Sequence, residues 1–158
     1  MKELITKEFN SSAVRAKRSN QIVIKNKGGR GFSRDLAQGY YIGRSSTYAS
    51  MQIAYYMGYE AVFIFGIDMC AVGGKLHHYG NNPDVKDQIR EQRFKDEAAH
   101  YDHAANHLDQ NERNRYYFCS AYNPFDFVNR FNKLDHKKAP EFILEYIKRK
   151  NIPEVNHG

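Results

Sequence analysis

The sequence lacks the features that mark secreted and membrane proteins. It contains only two cysteines, Cys70 and Cys119, which give no disulfide framework. It also has no tryptophan and 4 prolines. Its longest apolar run, Ala61 to Phe65, is the length of a strand, whereas a membrane-spanning helix needs ~20 apolar residues. No stretch has the basic, apolar and small-residue regions of a secretory signal peptide in that order. We therefore expect a cytoplasmic protein with no membrane span.

The chain is instead rich in aromatic rings and in positive charge. It has 12 Tyr and 10 Phe, so we expect packing by rings that carry polar edges. The formal net charge of +6 suggests an anionic partner: a nucleotide, a sugar phosphate, nucleic acid or an anionic surface. A length of 158 residues fits one domain with its own core. We expect a basic, partly mobile arm at 1–20, a single domain at 21–152 and a frayed tail at 153–158.

The order of helix and strand signals predicts an α/β fold: a three-layer Rossmann-like domain with a short, mostly parallel sheet and flanking helices. Its clearest unit is a helix over Tyr48 to Met57, closed by Gly58, followed by a strand at 60–67 whose apolar residues suit burial on both faces. The other predicted strands cover 21–25, 40–42 and 115–120, and the other predicted helices cover 84–108, 125–131 and a final segment that begins near Pro140.

The start of the first helix is a candidate anion site. Arg44, Ser45, Ser46 and Thr47 place an arginine and small hydroxyl residues where unpaired backbone N–H groups attract negative charge. A phosphate or carboxylate of a substrate would dock there. The alternative is an ordinary serine N-cap beside a solvated arginine.

A second candidate site follows the strand at 60–67. Asp68 comes at its carboxyl end, where α/β proteins bind ligands, and the loop after it carries Lys75, His77 and His78. The histidines are candidate general bases, Asp68 would orient one of them, and Lys75 would neutralise phosphate. The alternative is that Asp68 caps its own loop and that the histidines are simply exposed.

A glycine-rich loop after the first predicted strand is a candidate nucleotide contact. Gly28, Gly29, Gly31 and Ser33 form it, but their spacing matches neither the dinucleotide fingerprint nor the Walker loop. A rival interpretation is a nucleic-acid groove, since the first 34 residues are strongly basic and aromatic side chains follow. The residues of this groove would be Arg15, Lys17, Arg18, Lys25, Lys27, Arg30 and Arg34, with Phe32, Tyr40 and Tyr41 as stacking faces.

A row of histidines follows later in the chain. His100, His103 and His107 share one face of a predicted helix with Asp96. Positions seven apart on a straight helix lie ~10 Å apart along its axis, too far for both to reach one ion. We therefore assign no metal site and expect a hydrated helix face.

Four stretches carry a resemblance to a known family. They are Ser46 to Tyr59 (STYASMQIAYYMGY), Phe63 to Asp68 (FIFGID), Gly73 to His77 (GGKLH) and Tyr116 to Pro124 (YYFCSAYNP). They resemble the Rossmann-like bacterial lipooligosaccharide sialyltransferases and the related archaeal 6-hydroxymethylpterin pyrophosphokinase-like (motility accessory) proteins. The resemblance implies that the hydroxyl-rich helix start contacts a donor, that the strand ends in Gly-x-Asp and that the next loop reaches the active site.

The chain departs from that family near its start. Family members have roughly another half-domain before the serine-containing helix, whereas here roughly 20 residues separate Ile24 from Ser45. The N-terminal nucleotide half therefore looks truncated or compressed, and the chain would be a fragment, a protein completed by forming a homo-oligomer, or a relic that binds without catalysing.

Two functions follow from these patterns. The first is a nucleotide-sugar-dependent, sialyltransferase-like glycosyltransferase. The second is a non-enzymatic module of viral (phage) or mobile-element origin that binds nucleic acid or protein. No resident cofactor follows from either, although a nucleotide-activated donor fits the first, and the sequence does not decide whether a divalent metal is needed.

Overall fold

The computed structural model describes residues 24–70, 87–120 and 122–150, with the side chains of 87–90 excepted. Helix α1 spans Ser46–Tyr56 and is followed by strand β1 at Val62–Phe65. Helix α2 spans Asp87–His107 and the single turn α3 spans Gln110–Arg113. Strand β2 covers Tyr116–Cys119, β3 covers Asn132–Leu134 and helix α4 covers Ala139–Arg149. Short 3-10 helices lie at Leu36–Gln38 and Asp126–Arg130.

The three strands form a small parallel sheet in the order β1-β2-β3. Val62 pairs with Tyr116 and Phe65 with Cys119, while Tyr117 pairs with Asn132. Helix α2 lies between β1 and β2 in the chain, as a parallel connection requires. The α/β class and the parallel sheet expected from the sequence are therefore confirmed.

Helix α1 has the termini that its sequence predicts. The Ser45 hydroxyl caps the helix by accepting a hydrogen bond from the Tyr48 N–H at 3.2 Å. At the other end Gly58 has φ +79°, and the N–H groups of residues 58 and 59 donate to the carbonyls of Tyr55 and Ala54. This pair of bonds is the Schellman motif, which a left-handed glycine closes at little cost.

Helices pack against both faces of the sheet. On one face, Phe63 of β1 contacts Phe142 and Tyr146 of α4, with ring centroids 6.2 and 6.0 Å apart. On the other, Phe118 of β2 lies 5.7 Å from the ring of Tyr101 in α2. Successive residues of a strand point to opposite faces, so Tyr117, next to Phe118 in β2, lies on the first face and contacts Phe142, with centroids 5.4 Å apart.

The core is aromatic, as the composition led us to expect. Tyr48, Tyr101 and Tyr116 are each fully buried. Their hydroxyl groups nevertheless have partners: Tyr48 donates to the Gly31 carbonyl at 2.8 Å, and Tyr116 to the Met51 carbonyl at 3.0 Å. The Tyr101 hydroxyl lies 3.2 Å from Ser45 Oγ. Satisfying these groups is what permits tyrosine in a core.

The segments predicted as the first two strands do not form regular strands where they are described. Residues 24–25 are irregular, and one isolated parallel bridge joins Asn26 to Tyr40. For the segment at 40–42 the physical reason lies at Tyr41, whose N–H and C=O groups bond the amide of Gln52 at 3.0 and 2.7 Å. A helix side chain thus takes the place of a neighbouring strand.

The region after β2 also differs from the prediction. The short helix predicted over 125–131 is present as a 3-10 helix at Asp126–Arg130, but strand β3, which the sequence did not predict, follows at once. Phe127 stacks on Tyr101 with centroids 4.7 Å apart, which fixes this short turn against α2. The predicted helix at 84–108 is described from Asp87 to His107, and the final helix is confirmed with Pro140 in its first turn. The predicted arm at 1–20, the loop at 71–83 and the tail at 153–158 lie outside the described residues.

Candidate functional site

The glycine-rich loop and the start of α1 meet at one cavity. It has a volume of about 430 Å³ and is lined by Gly29, Arg30, Ile42, Arg44 and His100. We call these five residues the anion pocket. The fold therefore brings together the glycine-rich loop and the start of α1, which were predicted as two separate sites. His100 of α2 lies beside them.

The local backbone explains how the loop reaches the pocket. Gly28 and Gly29 have φ values of +70° and +67°, a left-handed conformation that glycine adopts without strain. The Gly28 N–H is held by the Asn26 side chain at 3.1 Å. A Cβ at either glycine would meet only open space, so the turn's backbone, and not crowding, requires glycine here.

Arg44 reaches the same cavity through an unusual backbone conformation. Its φ is +66°, which for a residue with a side chain costs about 1–2 kcal/mol. It forms an ion pair with Asp96 of α2 at 3.6 Å, but both side chains are substantially exposed, so the pair is weak. Within the described residues, no carboxylate forms an ion pair with Arg30. The pocket therefore carries an excess of positive charge.

The sequence predicts that His100 lies on a hydrated helix face, and the structure places it at the wall of the anion pocket. Its Nδ1 atom is buried and has no hydrogen-bond partner in the structure. Burial lowers the pKa of its imidazole, and the nearby charges of Arg30 and Arg44 lower it further, while Asp96 acts in the opposite direction. An anionic ligand in the pocket would oppose these effects, because its charge favours the protonated imidazole.

The other histidines of that row are placed differently. The rings of His103 and His107 lie 3.9 Å apart, and His107 Nδ1 is 2.8 Å from the His103 carbonyl. Within the described ranges, no group of three or more histidine, cysteine, aspartate or glutamate side chains is arranged to hold a metal ion.

Gly31 and Ser33, the other predicted nucleotide contacts, are buried and bonded within the chain. The Gly31 carbonyl accepts the Tyr48 hydroxyl, and the Ser33 N–H donates to Gln52 Oε1 at 3.0 Å. The Ser33 hydroxyl donates to the Asp35 carbonyl at 2.9 Å. These polar atoms hold the loop, and a role for them in binding a nucleotide stays a prediction.

Gln52 is a residue that the sequence analysis missed. Its side-chain amide is fully buried in α1 and accepts from the N–H groups of Ser33 and Tyr41, each at 3.0 Å. It donates to the carbonyls of Tyr41 and Tyr48 at 2.7 and 3.0 Å. The available signal was a polar residue among the apolar positions of a helix. Gln52 positions the chain on both sides of the pocket.

Ser46 and Thr47 lie beside a different cavity. Together with Ser50 they face strand β1 across an open groove of about 340 Å³ that reaches Phe65. Ser45 is occupied as the helix cap and by its contact with Tyr101. The hydroxyl residues are thus divided between capping the helix and facing the carboxyl end of the sheet.

Asp68 lies where the sequence predicted, just beyond the carboxyl end of β1. Its Oδ1 accepts a hydrogen bond from the Ser120 hydroxyl at 2.6 Å, which ties the loop after β1 to the loop after β2. The predicted partners Lys75, His77 and His78 lie outside the described residues, so their approach to Asp68 stays a prediction.

Part of the predicted nucleic-acid surface is used within the fold. Arg34 forms an ion pair with Glu112 at 2.8 Å, and the Lys27 ammonium lies 5.2 Å from the ring centroid of Tyr41. Phe32 packs edge-on against Tyr55 at 5.7 Å instead of offering its face to solvent. These contacts remove cations and one ring from the groove that the charge pattern suggested.

Comparisons with known proteins returned no family model, no curated protein and no solved structure that matches the chain significantly. None of the helices in the described ranges combines the length and the apolar character needed to cross a bilayer.

Proposed function

We propose that this chain binds the phosphate group of a nucleotide-activated donor and serves a sialyltransferase-like glycosyl transfer. One observation carries the proposal. Arg30 of the glycine-rich loop, Arg44 at the start of α1 and His100 of α2 converge on a single cavity of about 430 Å³. Two guanidinium groups and an imidazole are donors suited to phosphate oxygens.

The architecture supports this assignment. The α1 start and the carboxyl ends of parallel strands are where Rossmann-like proteins hold nucleotides. Helix α4 on one sheet face and helices α1 and α2 on the other fit the three-layer Rossmann-like arrangement that we propose for the domain. The sequence resemblance at Ser46 to Asp68 points to the same fold and chemistry.

The proposed reaction assigns a role to each group. An acceptor hydroxyl loses its proton to His77 or His78, and its oxygen forms a bond to the anomeric carbon of the donor sugar. The bond from that carbon to the phosphate oxygen breaks, and the electron pair leaves with the nucleotide phosphate. Arg30 and Arg44 stabilise the charge on this leaving group, which grows as the bond breaks.

The test is a binding titration with each of the cytidine, uridine, guanosine and adenosine 5'-phosphates. We expect saturable binding of one nucleotide class, weakened ~10-fold or more in Arg30→Gln and in Arg44→Gln, because each charged hydrogen bond contributes about 1.5–3 kcal/mol. The matched control is Arg149→Gln, which removes one exposed positive charge from the end of α4. Equal weakening in all three variants would indicate only a general effect of net charge and would contradict the site.

Turnover is tested separately. With a nucleotide sugar of the class that binds, His77→Ala and His78→Ala are assayed for release of the free nucleotide. Transferase activity requires that one of them loses turnover while its affinity for the nucleotide stays within about twofold of the parent. Binding without turnover in the unaltered protein would leave a nucleotide-binding module and contradict the enzymatic part of the proposal.

A further inference from the structure

The loops that follow β1 and β2 are bonded to each other at the carboxyl edge of the sheet. The Asn123 side chain donates to the Ile67 carbonyl at 2.6 Å, and the Ser120 hydroxyl donates to Asp68 at the same distance. The Cys70 thiol donates to the Tyr122 carbonyl at 3.2 Å. Three bonds across two strand ends hold this edge in one geometry.

The Tyr122 backbone is fixed, whereas its ring is not packed. Its N–H donates to Ser120 Oγ at 3.3 Å, and its carbonyl accepts from Cys70. The side chain is nevertheless 52% exposed, and the nearest described ring is that of His136, with centroids 6.1 Å apart. An aromatic ring that is open to solvent on a fixed backbone offers a stacking face to a ligand.

Asp68 offers a carboxylate that is tied to the Tyr122 backbone through Ser120. Ser120 links the two directly, because its hydroxyl donates to Asp68 Oδ1 and accepts from the Tyr122 N–H. In the described part of the chain no cation forms an ion pair with Asp68. Its charge therefore remains available to hydroxyl donors of a ligand, which form short, strong bonds to carboxylates.

We propose that Asp68 and Tyr122 form a subsite for a hydroxylated ring, a ribose or a pyranose, whose C–H face packs on Tyr122 and whose hydroxyl groups donate to Asp68. The inference rests on the proposed function and deepens it, because it names what binds beyond the phosphate. It also changes the role of Asp68, from orienting a catalytic histidine to contacting the substrate.

The sequence offers a matched pair of tyrosines for the test. Tyr122→Ala removes the ring, Tyr122→Phe keeps it, and Tyr59→Ala removes another tyrosine that is also 52% exposed but lies beyond the end of α1. Asp68→Asn retains an acceptor for Ser120 while it removes the charge. Binding is followed by changes in NMR chemical shifts, which detect millimolar affinities. The probes are a nucleoside 5'-monophosphate and a neutral N-acetylhexosamine.

We expect Tyr122→Ala and Asp68→Asn each to raise the Kd of one probe about 10-fold, as loss of one stacked ring or one charged bond does. Tyr122→Phe and Tyr59→Ala should stay within twofold of the parent. If the monophosphate is the probe affected, the ring is ribose. If the N-acetylhexosamine is affected, the ring is the sugar of donor or acceptor.

The subsite is overturned if the parent protein binds neither probe through this edge, or if Tyr122→Ala and Asp68→Asn bind both as the parent does. Inorganic pyrophosphate separates this failure from failure of the proposed function. Pyrophosphate needs only the anion pocket, so its binding, and its loss in Arg44→Gln, would persist when the subsite alone is wrong.

Discussion

Arg34 and Glu112, far apart in the chain, meet in a two-point ion pair. Arg34 Nε donates to Oε1 at 2.9 Å and Nη2 donates to Oε2 at 2.8 Å. The Tyr55 hydroxyl adds a third bond to the same carboxylate at 2.6 Å. The pair joins the segment after the glycine-rich loop to α3, close to the end of α2. It therefore holds the loop and the helix that carry two sides of the anion pocket in a fixed relative position.

Replacing the Glu112 carboxylate tests how much this ion pair stabilises the fold. Arg34 and the other donors hold the pKa of Glu112 at about 2, well below its ordinary value. The stability it contributes is present above the pKa of the unfolded chain, near 4.3, and is lost as pH falls towards 2. We expect Glu112→Gln to lower the free energy of unfolding at pH 7 by about 1–3 kcal/mol, measured by urea denaturation.

The same variant should show a flatter acid profile, since it has no carboxylate to protonate. Glu145→Gln, an exposed change on α4, is the control and should follow the parent curve. Parallel profiles of the parent and Glu112→Gln between pH 5 and 2.5 would contradict the role assigned to the pair.

Gln52 offers a test of how the pocket is positioned. Gln52→Leu keeps a similar volume but leaves the N–H groups of Ser33 and Tyr41 and the Tyr41 carbonyl without their side-chain partner. We expect a loss of about 2–4 kcal/mol in chemical denaturation, because buried backbone groups would be left unsatisfied. Gln92→Leu, at an exposed position of α2, should change stability by less than about 0.5 kcal/mol. A similarly small change at Gln52 would show that other groups replace its bonds.

Replacing Arg44 should weaken anion binding without lowering the stability of the fold. Arg44→Gly relieves a left-handed backbone that costs arginine about 1–2 kcal/mol, although the freer unfolded chain offsets part of this gain. We expect unfolding free energy to stay equal or rise by up to about 1 kcal/mol, while the affinity for pyrophosphate falls ~10-fold or more. Scanning calorimetry measures the unfolding free energy, and titration calorimetry measures the affinity for pyrophosphate. A variant that is clearly destabilised would contradict the backbone cost assigned to Arg44, and one that binds pyrophosphate normally would contradict its place in the anion pocket.

His100 predicts a pH dependence of anion binding. In the free protein, burial and the neighbouring guanidinium groups lower its pKa, so the imidazole is neutral at pH 7. A bound dianion favours the protonated form, so binding takes up a proton and the Kd falls as pH falls towards the lowered pKa of the free imidazole. Sulfate is the probe, because its own charge is constant from pH 8 to 5. His100→Gln should lose this slope and His103→Gln should keep it. An unchanged slope in His100→Gln would assign the titration elsewhere.

Much of the local structure could be read from the chain. The serine cap, the apolar stretch and the closing Gly58 define α1, because each acts through neighbours within a few residues. The continuous apolar run identified β1, and the ends of α4 followed from Pro140 and the basic residues of its last turn. The candidate anion group at Arg44 and the carboxylate at Asp68 were likewise found from position alone.

Other features were decided by contacts between distant residues. The segment at 40–42 has the composition of a strand, yet Gln52 takes its backbone bonds, and Lys133 lies in a strand only because β2 offers an edge for pairing. His100 was expected only on a hydrated helix face, and its place in the pocket depends on the glycine-rich loop that packs beside it. No local pattern encodes such partners.

The sequence by itself determined the helix termini, the α/β class and the residue types available for anion binding, since propensity, capping and periodicity operate over short ranges. Tertiary structure alone decided which of those residues share a cavity. Arg30, Arg44 and His100 belong to three separate segments, and their distances depend on how those segments pack. Packing is set by the whole core and by pairs such as Arg34 and Glu112, so the pocket exists only in the folded chain.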